Sequence, residues 1–376
     1  MQREEGSDTT QQVAMDSLYV TKVVRAARRK AEAVAGRVIP LSPTLDAMAL
    51  RPYELHLELT NLCNADCVFC PYHSQQSPTR FMSDAVFHKA VNDFVACGGG
   101  SVGLTPIVGD ALIHPAFLDR VRYLRALPSI DRIWLTTNAI LLDKFGIDAV
   151  LDSGLTSITI STAGFDRSMY ERVYRSTAYP RMLRNVTELV EKNSRRSVPL
   201  PIIIALRPDR PRSEVMKDPD FQPILAHRPQ LDFAWAFGAV RGNVPAESLL
   251  PEMRFRVVGT KTEACVQTYN GLMVLADGTV IGCSCVAAMD AHANLTIGNI
   301  LTTSLLDIWQ GGQERRLRAS FGDSSLNSSC ASCDIYRNLD LYRTAEGRQR
   351  ARLNRQRSAG QMVRRSDRPL GPFPGG

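Results

Sequence analysis

Nowhere in the 376 residues does an apolar run approach the length of about 18 that a membrane-spanning helix needs. The opening stretch "MQREEGSDTTQQ" lacks the charged-then-apolar order of a secretion signal. A cytoplasmic protein without a membrane partner is therefore expected. The body of the chain also lacks net charge. The formal total is +7, but residues 341–376 hold nine arginines against Glu346 and Asp367, and the rest carries 36 basic and 36 acidic side chains. A balanced body with no basic stretch interleaved with aromatics counts against a nucleic-acid partner. Nor do the nine cysteines suggest a disulfide framework, since an odd count in such a chain points elsewhere.

What is present is clustering. Cys63, Cys67 and Cys70 fall in "NLCNADCVFCPY", and Cys265, Cys283, Cys285, Cys330 and Cys333 fall late in the chain. Only Cys97, in "FVACGGG", stands alone and reads as a small buried hydrophobe.

Between residues 53 and 237, short β-prone runs alternate with helical stretches. The runs are 53–60, 101–105, 132–137, 156–162, 201–207 and 231–237; helices fit at about 83–97, 115–127, 141–152, 180–193 and 212–227. This α/β alternation predicts a buried parallel sheet, doubly wound or wound as a partial (βα)6 barrel. In a barrel, chemistry sits where strands end, and the cysteine loop directly follows the first run. Residues 1–50 read as a disordered segment and a basic helix over 19–39, with Pro40 and Pro43 marking a linker before the 51–260 body. Residues 261–340 read as a small α+β module. It has a hairpin turn at Asp277-Gly278, a capped helix in "TTSLLDIWQGG", and "CASC" at 330–333. The Arg-rich stretch 341–376 reads as a disordered tail, free to meet an acidic partner.

Three thiolates at C-x3-C-x2-C spacing can cap one face of an iron–sulfur cube and leave one iron exchangeable. Zinc would need a fourth ligand, for which His73 is the candidate. At this point the sequence resembles the radical S-adenosylmethionine (radical SAM) family, through Cys63, Cys67, Phe69 and Cys70 after the first strand. The resemblance implies a [4Fe–4S] cluster whose free iron binds SAM. It also implies reductive cleavage to a 5′-deoxyadenosyl radical, and a flavodoxin- or ferredoxin-type electron donor. It further suggests SAM contacts from Gly109 and Asp110 in "IVGDALIHP", Asn138 in "TTNA" and Ser161 in "ISTAGFD". The family has Gly-Gly-Glu where this chain has Val108-Gly109-Asp110, so that segment departs from the pattern.

The second group resembles the Twitch module, a shortened SPASM domain. That resemblance implies an auxiliary [4Fe–4S] cluster on Cys265, Cys283, Cys330 and Cys333, and no second one, because no cysteine follows Cys333. A four-cysteine zinc ribbon is the alternative from spacing alone. An auxiliary cluster suits alcohol oxidation, because a substrate radical on its way to a ketone must give up one electron. The leading expectation is thus an oxidoreductase resembling the family's aminocyclitol and sugar alcohol dehydrogenases, acting on a sugar-like small molecule. An epimerase is the runner-up, with Cys285 returning a hydrogen atom; a peptide maturase follows, and a zinc-bound nucleic-acid module comes last. Arg207, Asp232, Trp235 and Arg241, at or after the fifth and sixth runs, are candidate substrate contacts, with Asp232 and Arg241 the candidates for catalysis.

Overall fold

The computed structural model describes residues 24, 26–104, 108–283, 292–322 and 325–365. Eleven strands are present among them: β1 Glu54–Leu57, β2 Gly100–Leu104, β3 Ile130–Thr137, β4 Ser157–Thr162, β5 Ile202–Leu206, β6 Gln230–Phe233, β7 Ala236–Phe237, β8 Arg254–Phe255, β9 Gly271–Val274, β10 Thr279–Ile281 and β11 Thr296–Asn299. The first six pair in parallel and in chain order. Sequential order is the winding of a barrel; a doubly wound sheet would reverse direction from its first strand. The sheet stays open, because β6 does not close onto β1.

Alternation along β1 shows how the strands divide their side chains. Leu55 and Leu57 are fully buried in the main core, while Glu54 and His56 face a cavity on the opposite side. The helices Asp84–Ala96, Phe117–Arg125 and Tyr179–Ser194 cover the outer face and bury Phe87, Phe94, Phe117, Met182 and Leu189. Each such side chain contributes about 1.5–3 kcal/mol by leaving water.

The later part of the chain joins this sheet. β9 pairs in parallel with β1, on the side away from β2, and β10 and β11 extend the sheet antiparallel. The change of character near residue 260 is therefore no break in the sheet. The turn at Asp277-Gly278 forms as its residues require. Gly278 takes φ 86°, a left-handed conformation that suits glycine, and the Asp277 carboxylate accepts from Thr279 N at 3.0 Å. In "TTSLLDIWQGG" Ser304 caps the helix Leu305–Trp309.

Two expectations are corrected. Of the Arg-rich stretch, residues 366–376 lie outside the described residues, and Ala345–Arg365 forms a helix. Its inward face carries small or polar residues, Gly347, Ala351 and Asn354, rather than large apolar ones. Asn354 is fully buried and bonds to the carbonyls of Ala47 and Arg51 and to the Arg51 guanidinium. Pro43 does not mark a linker but sits in the first turn of the helix Ser42–Ala49, where a missing N–H costs nothing. Among the described residues no helix is long and apolar enough to cross a membrane.

Candidate functional site

The loop after β1 is held by hydrogen bonds with both backbone and side-chain groups. Asp66 N and Val68 N donate to the carbonyls of Tyr174 and Val173, at 3.2 and 2.9 Å. Cys70 N donates to Cys67 O at 2.9 Å, Tyr72 Oη to Cys63 O at 3.2 Å, and Ser248 Oγ to Val68 O at 2.8 Å. Asn61 ties the loop to the chain beyond it through Pro78 O and Arg80 N. These bonds turn Cys63, Cys67 and Cys70 toward one cavity of about 380 Å³, which Phe69 also lines.

Gly109, Asp110, Asn138 and Ser161 come to the same cavity from the ends of β2, β3 and β4. Their roles there differ. Gly109 has φ 111°, and a Cβ would lie 2.8 Å from the carbonyl oxygens of Thr60 and Leu62. Only glycine lets this backbone press against the cysteine loop. Asp110 N donates to Leu62 O at 2.8 Å. The Asp110 carboxylate is occupied by Thr137 Oγ1 at 2.7 Å, Asn138 N at 2.8 Å and Leu112 N at 3.0 Å. Burial raises its pKa, opposed by those three bonds. Asp110 thus acts first as a brace that fixes three strand ends. The side chain of Asn138 bonds to Asn64 Oδ1 at 2.7 Å and lies 3.9 Å from Cys63 Sγ. Ser161 Oγ shares a 2.8 Å hydrogen bond with Tyr174 Oη.

The three thiols fit an iron–sulfur cube better than a single ion. Among the described residues no three His, Cys, Asp or Glu side chains converge tightly enough to hold one metal ion. His73, the candidate fourth zinc ligand, instead faces Asp66 at 3.6 Å. A cube spreads its ligands wider than a tetrahedral zinc ion does, and Cys63, Cys67 and Cys70, all lining one cavity, would hold a cube through three thiolates. Loss of solvent pushes the Cys63 thiol up to about 12, with Asp110 adding to it, and Cys70 up to about 11; Cys67 is raised well above the ordinary range. Without metal these thiols stay protonated at neutral pH, so loading the site must release protons.

The second set is gathered from distant places. Cys265 is buried beside Val266 and Phe321. Cys283 ends the hairpin and Cys330 sits in the short helix Ser328–Ala331, and both pack on an apolar cluster that includes Met273, Ile281 and Leu317. Cys330 also touches the cluster that holds Cys265, and Cys333 Sγ accepts from Ile335 N at 3.4 Å. Cys70 packs on the same six-residue apolar cluster as Cys283 and Cys330, so one dry layer touches both cysteine sets. Cys285 lies outside the described residues.

A second and larger cavity, about 1520 Å³, adjoins the first through Ala236, Arg256 and Arg337, which line both. Its wall includes Glu54 and His56 of β1 and Asp334 and Tyr336, just beyond Cys333. Of the polar candidates, Arg207 lines the smaller cavity, with its guanidinium 5.6 Å from the Phe69 ring centre. Arg241 is exposed and bonds to Ser329 Oγ at 3.1 Å; Asp232 is exposed on β6; Trp235 donates to Arg210 O at 3.2 Å. None of these three lines either cavity. Sequence reasoning missed Tyr174, Phe237, Arg256 and Arg337. Phe237 stacks on Phe69 at 4.8 Å between ring centres. The paired arginines of "MRFRV" around β8 were a signal, though nothing in that segment says that it folds back over the barrel mouth.

Two family models match this chain: "Radical SAM superfamily" over residues 57–218 and "Iron-sulfur cluster-binding domain" (SPASM) over 265–334. A GTP 3′,8-cyclase of Chlorobaculum tepidum is 25% identical over 136 residues, which is 36% of this chain and 40% of the cyclase. The chain thus spans about half or less of the length of the curated relatives it matches. Among solved structures, Streptococcus suis SuiB bound to the precursor peptide SuiA has a TM-score of 0.55 at 15% identity, covering 76% of this chain and 70% of SuiB. The protein anSMEcpe with bound AdoMet has a TM-score of 0.51 at 14% identity, covering 84% of this chain and all of the other. At such identities the likeness is one of fold. The cyclase is named for a reaction on GTP, not for alcohol oxidation.

Proposed function

This chain belongs to the radical SAM superfamily and carries a C-terminal iron–sulfur SPASM domain, and on that premise we propose that it oxidises an alcohol carbon of a polar, sugar-like small molecule to a ketone. The observation that supports this reading most is the join between the cavities. The larger one meets the cysteine-lined one at Ala236, Arg256 and Arg337, and its wall continues into Asp334 and Tyr336 beside Cys333. A substrate there would lie between the two cysteine sets.

When bound, the SAM-carrying cluster supplies a carbon radical that removes one hydrogen atom, and the auxiliary cluster supplies an acceptor for the electron left behind. The remaining hydrogen leaves the hydroxyl as a proton. His56 is the group suited to take it: it lines the larger cavity, and its buried Nε2 has no hydrogen-bond partner among the described residues, with Glu54 at 3.7 Å. Phe69, Phe237 and Tyr174 form an aromatic wall for the smaller cavity, suited to excluding water. Ser74 and Ser248 pin the 238–248 segment over the cysteine loop, through Asn243 O at 3.2 Å and Val68 O at 2.8 Å.

A second reading, peptide maturation, draws on one observation: about 1520 Å³ exceeds the roughly 300–1,000 Å³ of ordinary small-molecule sites. The deciding experiment incubates anaerobically reconstituted protein with SAM, dithionite and candidate sugars, followed by mass spectrometry. The expected product is lighter by two hydrogens, with one deoxyadenosine formed per turnover. In Cys330→Ala/Cys333→Ala, deoxyadenosine should still form while the oxidised product falls by at least about tenfold. Full oxidation by that variant would overturn the proposal.

A further inference from the structure

The wall of the larger cavity has more cation than its own acids can neutralise. It carries eight Arg or Lys side chains and five Asp or Glu. Four of the acids are already paired. Glu263 and Asp340 hold Arg343, at 2.7 and 3.4 Å; Glu54 and Glu346 hold Arg350, at 3.4 and 3.0 Å; and Glu346 also holds Arg29, at 2.9 Å. Lys30, Arg37, Arg254, Arg256 and Arg337 form no ion pair among the described residues. Of these five, Arg256 and Arg337 stand where the two cavities meet. Arg256 Nε donates to Ala236 O at 3.1 Å, which fixes the base of the guanidinium and leaves its terminal nitrogens to a ligand.

One acid in the same wall is not spent on a cation. Asp334 accepts from Ala239 N through Oδ2. Its Oδ1 is shielded from solvent and has no partner among the described residues. That oxygen lies against Gly238, a residue of the smaller cavity's wall. The junction therefore offers two guanidinium forks and one unused acceptor.

We propose that the substrate carries an oxyanion, phosphate or carboxylate, which Arg256 and Arg337 grip, and a hydroxyl that donates to Asp334. The assignment rests on reading this junction as the reaction space. Guanidinium forks match the paired oxygens of either anion, and an anion held there neutralises a wall that is otherwise cationic. An ammonium-rich aminocyclitol would meet charge of its own sign there. The substrate class is thus an acidic or phosphorylated sugar rather than an amino sugar.

The test is isothermal titration of the anaerobically reconstituted full chain, saturated with SAM, at low ionic strength. The probes are inorganic pyrophosphate, glucuronate and glucosamine. Pyrophosphate or glucuronate should bind and glucosamine should not; which of the two binds more tightly tells phosphate from carboxylate. Added salt should weaken the binding. In Arg256→Gln/Arg337→Gln, anion affinity should fall by about tenfold or more, as expected for losing charge-assisted bonds. Iron content and melting temperature show that the variant is folded, and single substitutions at these two exposed side chains give a second measurement. Absence of anion binding, equal binding by the variant, preference for glucosamine, or displacement of SAM by pyrophosphate would each overturn the proposal. Deoxyadenosine formation, measured separately, tests the radical reading without reference to the anion.

Discussion

The two cysteine sets solve the same problem in opposite ways. Cys63, Cys67 and Cys70 lie on one loop of eight positions. That loop is braced by hydrogen bonds to the carbonyls of Tyr174 and Val173 and from Asp110 N and Ser248 Oγ. The other set draws Cys265, Cys283, Cys330 and Cys333 from either side of a hairpin, two strands and several short helices. The first is a local motif that a strand end displays; the second exists only once the C-terminal strands have joined β1. A metal site of the first kind should tolerate distant damage, and one of the second kind should not.

The largest test of this contrast removes the local set. Cys63→Ala/Cys67→Ala/Cys70→Ala should abolish SAM cleavage outright and lower iron from about eight to about four per chain. The remaining iron would belong to the auxiliary set and should keep its own electron paramagnetic resonance signal. Loss of all iron would mean that the two sites assemble as one, which breaks the comparison.

A smaller effect is expected where the braces meet the loop. Gly109→Ala puts a methyl group 2.8 Å from two carbonyl oxygens and demands φ 111° of an alanine. A cost of about 2–3 kcal/mol is expected, from strain and overpacking together. It should appear as a lowered melting temperature, and weakened SAM binding should accompany it while the auxiliary iron is retained.

The same contrast explains what could be read from the sequence. Several strand and helix spans of the barrel were legible because each alternates or repeats over contiguous residues; the helix expected at 83–97 forms over Asp84–Ala96 and that expected at 180–193 over Tyr179–Ser194, whereas the one expected at 212–227 is broken into Arg212–Val215 and Gln222–Leu225, with Pro219 between them. The three-cysteine loop was legible for the same reason. The union of β9 with β1 was not, because nothing local in "GLMV" names its partner strand. The helix Ala345–Arg365 was hidden by its composition: its contact face is Gly347, Ala351 and Asn354, spaced for a helix but without the apolar stripe that marks one. The joined cavities depend on residues as far apart as Ala236, Arg256 and Arg337, and no motif connects them.

The smallest expected effect lies at the seam between the two regions. Glu58 follows β1 toward the cysteine loop, yet its backbone N–H donates to Val274 O and its carboxylate accepts from Ala276 N at 3.3 Å, both in the hairpin that leads to Cys283. Burial raises its pKa to about 7, opposed by the Ala276 bond. The folded chain therefore holds the Glu58 proton more tightly than the unfolded chain does. The stability this contributes is complete below the ordinary value of 4.5 and is lost as pH rises toward 7, because the seam must then carry a buried charge. Glu58→Gln keeps an acceptor for Ala276 N and cannot ionise. It should match wild type in acid and exceed it by about 1–2 kcal/mol above pH 7, once relaxation and water entry are allowed for. Denaturant unfolding at several pH values reads this directly. Parallel pH profiles for the two proteins would mean that the seam is wet and the two cysteine regions are joined only by their backbone ladder.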